Sequence, residues 1–455
     1  MRRTLLAFGL AGLGCVFAFS PAWAETLEEA WSRALQVDEG LKAADALVTS
    51  SEQALASAKA QRLPALTVEG GYFGLTDPPS FDIEKGLGKP LPRLPERINL
   101  PRLGRTIEIP QIFPDLSTYS LGQRTYGSAQ ASVRLPLYTG GRLSGTIDAA
   151  KANLEGSRHE HVHAIQELKL SVAQAYVNVL RAQDAVKVTE EEVKSLDAHV
   201  KDVDDVYQHG FVAKNDLLAT QVAEAQAKER HLQAQNMLEL ARSAYNRLLE
   251  RPMDSPVSLD PVVPPKDVLP LEDYVEAAKT NRPEPKALSA QTQALRDTAK
   301  ALRGGMMPQL ALIGGYMYMD LDSLDKNSYG YGGVGLSWNL FDFGATAKQA
   351  GSVSSRGDSA RERLLEAQEL IALEVRQTWF DVKESLYRIE VAKTALARAD
   401  ENLKVNRDRY RQGLGTNTEV LDAQTQRTGA YVNYNQAVYD SAYNEMRLRK
   451  AAGEL

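Results

Sequence analysis

One stretch of the sequence spells a metal-dependent catalytic motif, because His159-Glu160-His161-Val162-His163 contains HExxH. On a helix, histidines four residues apart share a face and can hold zinc, with the glutamate between them as general base. A working site also needs a third ligand and a cleft, and the sequence offers neither. The matching stretch 203 residues later, Glu362-Arg363-Leu364-Leu365-Glu366, carries no such chemistry. The motif is therefore read as a solvated helix face with no metal. The single cysteine, Cys15, lies in an apolar leader, so an exported chain has no thiol for a disulfide, a zinc site or a nucleophile. Lipid attachment there would call for an aliphatic residue three positions earlier, where Gly12 stands. No serine or carboxylate constellation suggests an enzyme, and no cofactor is expected. A formal charge of −6 gives no basic footprint for nucleic acid.

The elements around these residues begin with a leader. Arg2 and Arg3, an apolar run from Leu5 to Phe19, and Ala22-Trp23-Ala24 are the three parts of a secretory signal peptide over residues 1–24. The mature chain would start at Glu25 with a charge of −8. Beyond the leader no run approaches the roughly 20 consecutive apolar residues of a membrane-spanning helix. Membrane contact would have to come from a barrel or from surface association. Aromatic residues are only 7% of the chain, and Ala, Gln, Glu, Arg and Lys fill long tracts, a composition of extended helices.

The chain reads as one unit written twice. Leu27-Glu28-Glu29, Pro64 and Gly70-Gly71-Tyr72 return at an offset of 244 as Leu271-Glu272-Asp273, Pro308 and Gly314-Gly315-Tyr316. Leu137, Gly141, Val172, Tyr207 and Gly210 return at an offset of 203 as Leu340, Gly344, Val375, Tyr410 and Gly413. The difference, 41 residues, locates one insertion between Leu75 and Tyr126. Two structural repeats, 25–250 and 271–455, flank a linker over 251–270 whose six prolines preclude regular helix.

Each repeat has the same order of elements. A helical segment, Glu25 to Arg62 or Leu271 to Arg303, precedes two alternating runs of strand length. Leu66, Val68 and Tyr72 fall on one face of the first run, and Leu310, Leu312, Tyr316 and Tyr318 on one face of its counterpart. The second runs place Ala129, Ala131, Val133, Leu135 and Leu137 together, and Val334, Leu336, Trp338 and Leu340 together. About ten alternating residues suit an outer-membrane strand, although a soluble hairpin alternates in the same way; Tyr316, Tyr318, Tyr329, Tyr331 and Trp338 favour the membrane. A proline-free helix follows each pair, Arg142 to Gln208 and Ala345 to Gln412. At 1.5 Å per residue each would run about 100 Å. Val172, Tyr176, Val179, Val186, Val193, Leu196, Val200, Val203 and Tyr207 mark a coiled-coil seam on the first. Ile371, Val375, Trp379, Val382, Leu386, Ile389, Leu396, Ala399, Leu403 and Tyr410 mark it on the second. Tight turns lead to returning helices, Asn215 to Leu249 and Thr418 to Ala451, where Asn215, Asp216, Thr418 and Glu419 suit a helix start.

The turns read Tyr207-Gln-His-Gly210-Phe-Val-Ala-Lys-Asn-Asp216-Leu-Leu218 and Tyr410-Arg-Gln-Gly413-Leu-Gly-Thr-Asn-Thr-Glu419-Val-Leu421. With Leu340-Phe341-Asp342-Phe343-Gly344 ahead of the second long helix, the mature chain resembles the outer membrane efflux protein family, the TolC-like channels. The resemblance implies a mixed fold: long antiparallel α-helical coiled-coil hairpins plus four transmembrane β-strands per chain. Three chains would close a twelve-stranded β-barrel in outer-membrane lipid above a periplasmic α-helical tunnel. The implied partners are a periplasmic adaptor and an inner-membrane pump of RND, ABC or MFS type, in efflux or type I secretion. The adaptor would dock on Gly210, Phe211, Val212 and Ala213 and on Gly413, Leu414, Gly415 and Thr416. The family's gate carboxylates correspond to Glu419 and Asp422, six of them in a trimer, which would prefer cations; the lesser alternative for Asp422 is an ordinary helix-start acid. The family's closing bonds fall on Asp216 and Tyr410, but its basic partner is replaced by Gly415, so the closing network would be differently built. The insertion, Asp77 to Gly122 with eight prolines, would lie outside the cell as a loop that covers the pore mouth or is simply a surface loop. A structural coiled-coil envelope protein or a periplasmic adaptor is the rival reading. An adaptor would show one hairpin and a globular β-domain, and an adhesin a single C-terminal anchor.

Overall fold

A computed structural model describes residues 24–77, 80–82, 97–100, 104–108, 118–120, 124–320 and 325–455. Cys15 and the expected leader up to residue 23 lie outside them, as do the eight prolines of the insertion. In chain order the elements begin with α1 (Leu27–Val37), α2 (Glu39–Ala60), β1 (Ala65–Gly74), β2 (Ser80–Asp82) and β3 (Arg97–Leu100). Next come β4 (Arg105–Glu108), β5 (Thr118–Ser120), β6 (Thr125–Tyr138), α3 (Arg142–Gln208) and α4 (Lys214–Leu248). Then follow α5 (Leu271–Asn281), α6 (Pro283–Gly304), β7 (Gln309–Met319), β8 (Ser328–Ser337), α7 (Ala345–Arg411) and α8 (Asn417–Ala451). Both α3 and α7 have 67 residues, and both α4 and α8 have 35. No helix among the described residues is long and apolar enough to cross a membrane. Two compact units emerge, one from residues 24–50, 154–291 and 359–455, the other from 51–153 and 292–358.

The second unit carries an antiparallel sheet of order β1-β6-β7-β8. Its register puts Val68, Ala131 and Tyr316 in one row, Val133 and Leu66 in another, and Leu135, Leu312 and Val334 in a third. Facing residues share a side of the sheet, so these rows make one apolar face. Most of its members are exposed; Val68 keeps 73% of its surface, Tyr316 57% and Val334 64%. The opposite face carries Thr67, Glu69, Gln130, Ser132 and Arg134. Tyr331 belongs to that polar face, 2.6 Å from the Gln130 amide that donates to its hydroxyl. The expected aromatic set is thus split between two faces. Trp338 and Leu340 lie past the strand, because the ladder ends where β7 begins, at the Gln309–Ser337 pair.

Two other expectations need correction. Each predicted leading helix is broken. Asp38 is extended (φ −55°, ψ 126°) and its Oδ1 accepts from the Leu41 N–H at 2.7 Å, which caps α2. Arg282 takes the same conformation (φ −56°, ψ 129°) because Pro283 excludes the helical region for the residue before it. The insertion, expected as a loop, also holds two short ladders, β2 with β5 and β3 with β4.

In the first unit the seam positions are the core. Val172, Tyr176 and Val179 of α3 pack with Ala30 and Ala34 of α1 and Tyr245 of α4. Val375 and Val382 of α7 pack with Ala278 of α5 and with Leu448 and Ala451 of α8. Each buried valine or leucine among them contributes about 1.5–3 kcal/mol. The stretch from Arg251 to Pro270 is tied down at Glu25, which bridges in parallel to Leu259. The Glu25 carboxylate takes two bonds from the Arg251 guanidinium, at 2.8 and 2.5 Å, and one from the Tyr245 hydroxyl at 3.0 Å. The Tyr176 hydroxyl is shared between the Glu25 and Asp260 carbonyls at 2.7 and 2.8 Å. Tyr176→Phe removes this donor from two half-buried carbonyls, of which that of Glu25 keeps the Asp260 N–H at 3.0 Å, and should cost about 1 kcal/mol, read as a lower midpoint of thermal unfolding. An unchanged midpoint would show that this bond contributes nothing.

Candidate functional site

The turns between paired helices carry the residues that the sequence singles out. Gly210 and Gly413 adopt φ of +76° and +72°, the left-handed conformation that ends a helix cheaply in glycine. In the first turn the Gly210 N–H donates to Tyr207 and the Phe211 N–H to Val206, at 2.8 and 3.1 Å. In the second, Gly413 donates to Tyr410 and Leu414 to Arg409, at 2.9 and 2.8 Å. This paired closure satisfies the last helical carbonyls and turns the next side chain outward. Phe211 and Leu414 are accordingly 80% and 67% exposed. Val212 instead leans on the apolar cluster beneath.

The two returning helices start differently. Ala213 offers α4 no side-chain cap. Thr416 and Glu419 form a capping box on α8: the Thr416 hydroxyl accepts from the Glu419 N–H at 3.3 Å, and the Glu419 carboxylate accepts from the Thr416 N–H at 3.0 Å. Glu419 therefore has a structural task whatever else it does, and Arg409 lies 3.9 Å from it. Asp422 is exposed on the next turn of α8.

Beneath the turns the four helices meet over Val203, Leu217, Leu403, Tyr410, Val420 and Ala423. Asp216 and Tyr410 both lie here, and the Asp216 charge joins burial in raising the Tyr410 pKa. Yet the Tyr410 hydroxyl has no hydrogen-bond partner among the described residues. The Asp216 carbonyl instead receives the Asn417 amide at 3.0 Å. That donation orients the amide, so the Asn417 carbonyl oxygen accepts from His199 Nε2 at 2.8 Å. The Thr220 hydroxyl is 3.1 Å from the same oxygen. His199, Thr220 and Asn417 are all buried, at 2%, 0% and 4% exposure. One step further along, the Ser195 hydroxyl lies 2.5 Å from Gln424 Oε1, and the Arg407 guanidinium donates to the Ser195 carbonyl at 3.0 Å. The sequence reading missed this polar layer. Its signal was His199, which sits three residues after Leu196 and four before Val203, on the seam.

The histidines of the HExxH stretch lie elsewhere on α3 and face carboxylates. His161 Nε2 is 2.8 Å from Asp45, and His163 lies between Glu284 at 3.2 Å and Glu167 at 3.7 Å. His163 and the Arg282 guanidinium, 2.7 Å from Glu284, hold the Glu284 carboxyl down at about 2 against the opposing effect of burial. Among the described residues no three metal-binding side chains converge.

An exposed apolar sheet face, together with long helical hairpins closed by paired turns, is the set of elements that an outer-membrane channel calls for. The sequence profile of the family described as outer membrane efflux protein matches residues 99–249 and 274–454, and the chain belongs to that family. The outer membrane protein TolC of Vibrio cholerae is 23% identical over 465 residues, which cover 100% of this chain and 96% of the relative. Among solved structures, the outer membrane protein VceC of Vibrio cholerae superposes with a TM-score of 0.75 at 17% identity, covering 94% of this chain and 96% of its own. The Campylobacter jejuni CmeC outer membrane channel gives 0.75 at 17% identity, over 94% and 85%. The chain is thus an efflux channel of the outer membrane, with a large periplasmic helical part.

Burial holds the His199 imidazole below its ordinary pKa, and the Arg407 and Arg411 charges add to this against the opposing effects of Asn417 and Asp202. A group kept neutral in the packed tip takes up a proton more readily once the tip opens. Tip stability is then full above the ordinary value of 6.5 and falls as pH drops below it. Amide exchange at the two turns, corrected for intrinsic rates, should report easier opening near pH 5.5 than near pH 7.5. His199→Gln should flatten the difference, and equal protection in the parent protein at both pH values would contradict the assignment.

Proposed function

We propose that three copies of this chain form one exit duct, a twelve-stranded barrel in outer-membrane lipid continued by a periplasmic tunnel of helices. The observation that carries the reading is the sheet, whose apolar face is exposed while β1 and β8 each pair on one side alone among the described residues. Four strands cannot close a barrel, and unpaired edges are not tolerated in hydrocarbon. Exposed apolar side chains on the helices support assembly as well: Leu218, Val222 and Leu240 on α4, and Leu373, Phe380 and Tyr387 on α7. The repeats 25–250 and 271–455, joined by 251–270, supply two strands and one hairpin each, a reading that the equal helix lengths support.

The duct serves a tripartite efflux or type I secretion system. A periplasmic adaptor docks on the turns 210–213 and 413–416, where Phe211 and Leu414 stand exposed, and an inner-membrane pump of RND, ABC or MFS type selects the cargo. Glu419 and Asp422, with Asp216 and Tyr410 nearby, line the closed end. Three copies give six carboxylates around a narrow opening, which favours cations.

Conductance of the purified protein in planar lipid films tests the reading. The protein should pass ions with a cation preference. Glu419→Gln with Asp422→Asn keeps a hydrogen-bonding side chain at the cap of α8 and removes both charges, so it should move the reversal potential toward zero without loss of assembled protein. An unchanged reversal potential would refute the carboxylate ring, and absence of conductance would refute the channel.

A further inference from the structure

Within one chain the expected pair, Asp216 and Tyr410, forms no side-chain hydrogen bond at the Tyr410 hydroxyl among the described residues. The place of the family's basic partner is taken by Gly415. A different set occupies the same level of the bundle. Asn417, the first residue of α8, reaches across to the other hairpin and engages it at both helices. Its carbonyl oxygen takes the His199 Nε2 proton from α3, and its amide nitrogen donates to the Asp216 carbonyl at the start of α4. The His199 ring is also packed edge-on against Tyr410 of α7, with centroids 5.2 Å apart. One side chain thus joins three of the four helices directly and the fourth through its partner.

Of the other bonds between the hairpins, those of Ser195 with Gln424 and Arg407 lie further along the helices from the turns. Arg411 and Asp202 pair at 3.0 Å, but their side chains are 60% and 35% exposed. Such a pair contributes little in water. The Asn417 set is buried, so breaking it leaves the His199 ring N–H without its acceptor, while the Asp216 carbonyl keeps the Thr220 hydroxyl at 2.8 Å. That penalty is paid only when one turn moves and the other stays, which makes the set sensitive to the relative position of the two turns.

We infer that Asn417 is the positioning residue that latches the second hairpin turn to the first and holds the duct closed. The latch acts in place of the missing basic partner, and the inference rests on the reading of the chain as a gated channel. Glu419, capping the same first turn of α8, holds the helix start in register so that the amide meets both partners.

The test uses the full-length protein in planar lipid films. Asn417→Ala should raise the ratio of open to closed time about tenfold, while the protein remains assembled and its thermal midpoint falls only modestly. Thr220→Cys with Asn417→Cys provides the converse, since the mature chain has no cysteine of its own. Oxidation of that pair should hold the duct shut, and reduction should release it. Open and closed times in Asn417→Ala equal to those of the parent, or conductance of the oxidised pair equal to that of the reduced pair, would overturn the latch while leaving the channel intact. A parent protein that never conducts would instead overturn the channel reading, and the latch with it.

Discussion

Everything in the proposed assembly depends on the unsatisfied backbone groups at the edges of a four-stranded sheet. In water, an exposed edge strand costs little because solvent completes its hydrogen bonds. In hydrocarbon each orphaned N–H or C=O costs several kcal/mol, so an open sheet has no stable place in a bilayer. A chain with an apolar sheet face and two open edges must therefore find other strands before it can reside in lipid. Identical copies supply them at no extra genetic cost, and a closed ring of identical copies is the usual solution for homo-oligomers.

The helical part meets a related constraint. Seam residues such as Val172, Val179, Val375 and Val382 are fully buried within one chain, whereas Phe380, Tyr387 and Met237 stay exposed on the same bundle. An intrachain seam fixes each hairpin, and in the proposed assembly the exposed apolar side chains meet a neighbour. At the turns the balance shifts toward polar contacts, with His199, Thr220 and Asn417 buried where an aliphatic layer would otherwise run. A purely apolar layer slides at small cost, but a buried polar set is satisfied in one arrangement only. In the proposed gate, an end that must return to one closed position gains from such a set.

Much of this was legible in the sequence. The proline-free tracts gave α3 and α7 to within a residue, because a long seam leaves few alternatives. The faces of β1 and β7 followed from alternation alone. The breaks at Asp38 and Arg282 were not foreseen, although Pro283 marked the second; at Asp38 a side-chain cap competes with the helix, and its outcome depends on local geometry. The assignment of Tyr331 to the polar face was missed because aromatic residues were counted as one group, whereas register decides the face. At the turns, glycine and cap positions could be read directly. The partners of Asn417 could not, because they lie on two other helices about 200 residues away in sequence, at |i−j| of 218 and 201. Long-range polar pairing leaves no periodic signal.

The mass of the detergent-solubilised particle, measured by light scattering with the detergent contribution subtracted, tests the closure of the barrel most directly. The open edges of β1 and β8 require more than one chain, and the proposed twelve-stranded barrel predicts three per particle. A particle of one chain, stable and fully folded in detergent, would mean that four strands suffice and that no duct is formed.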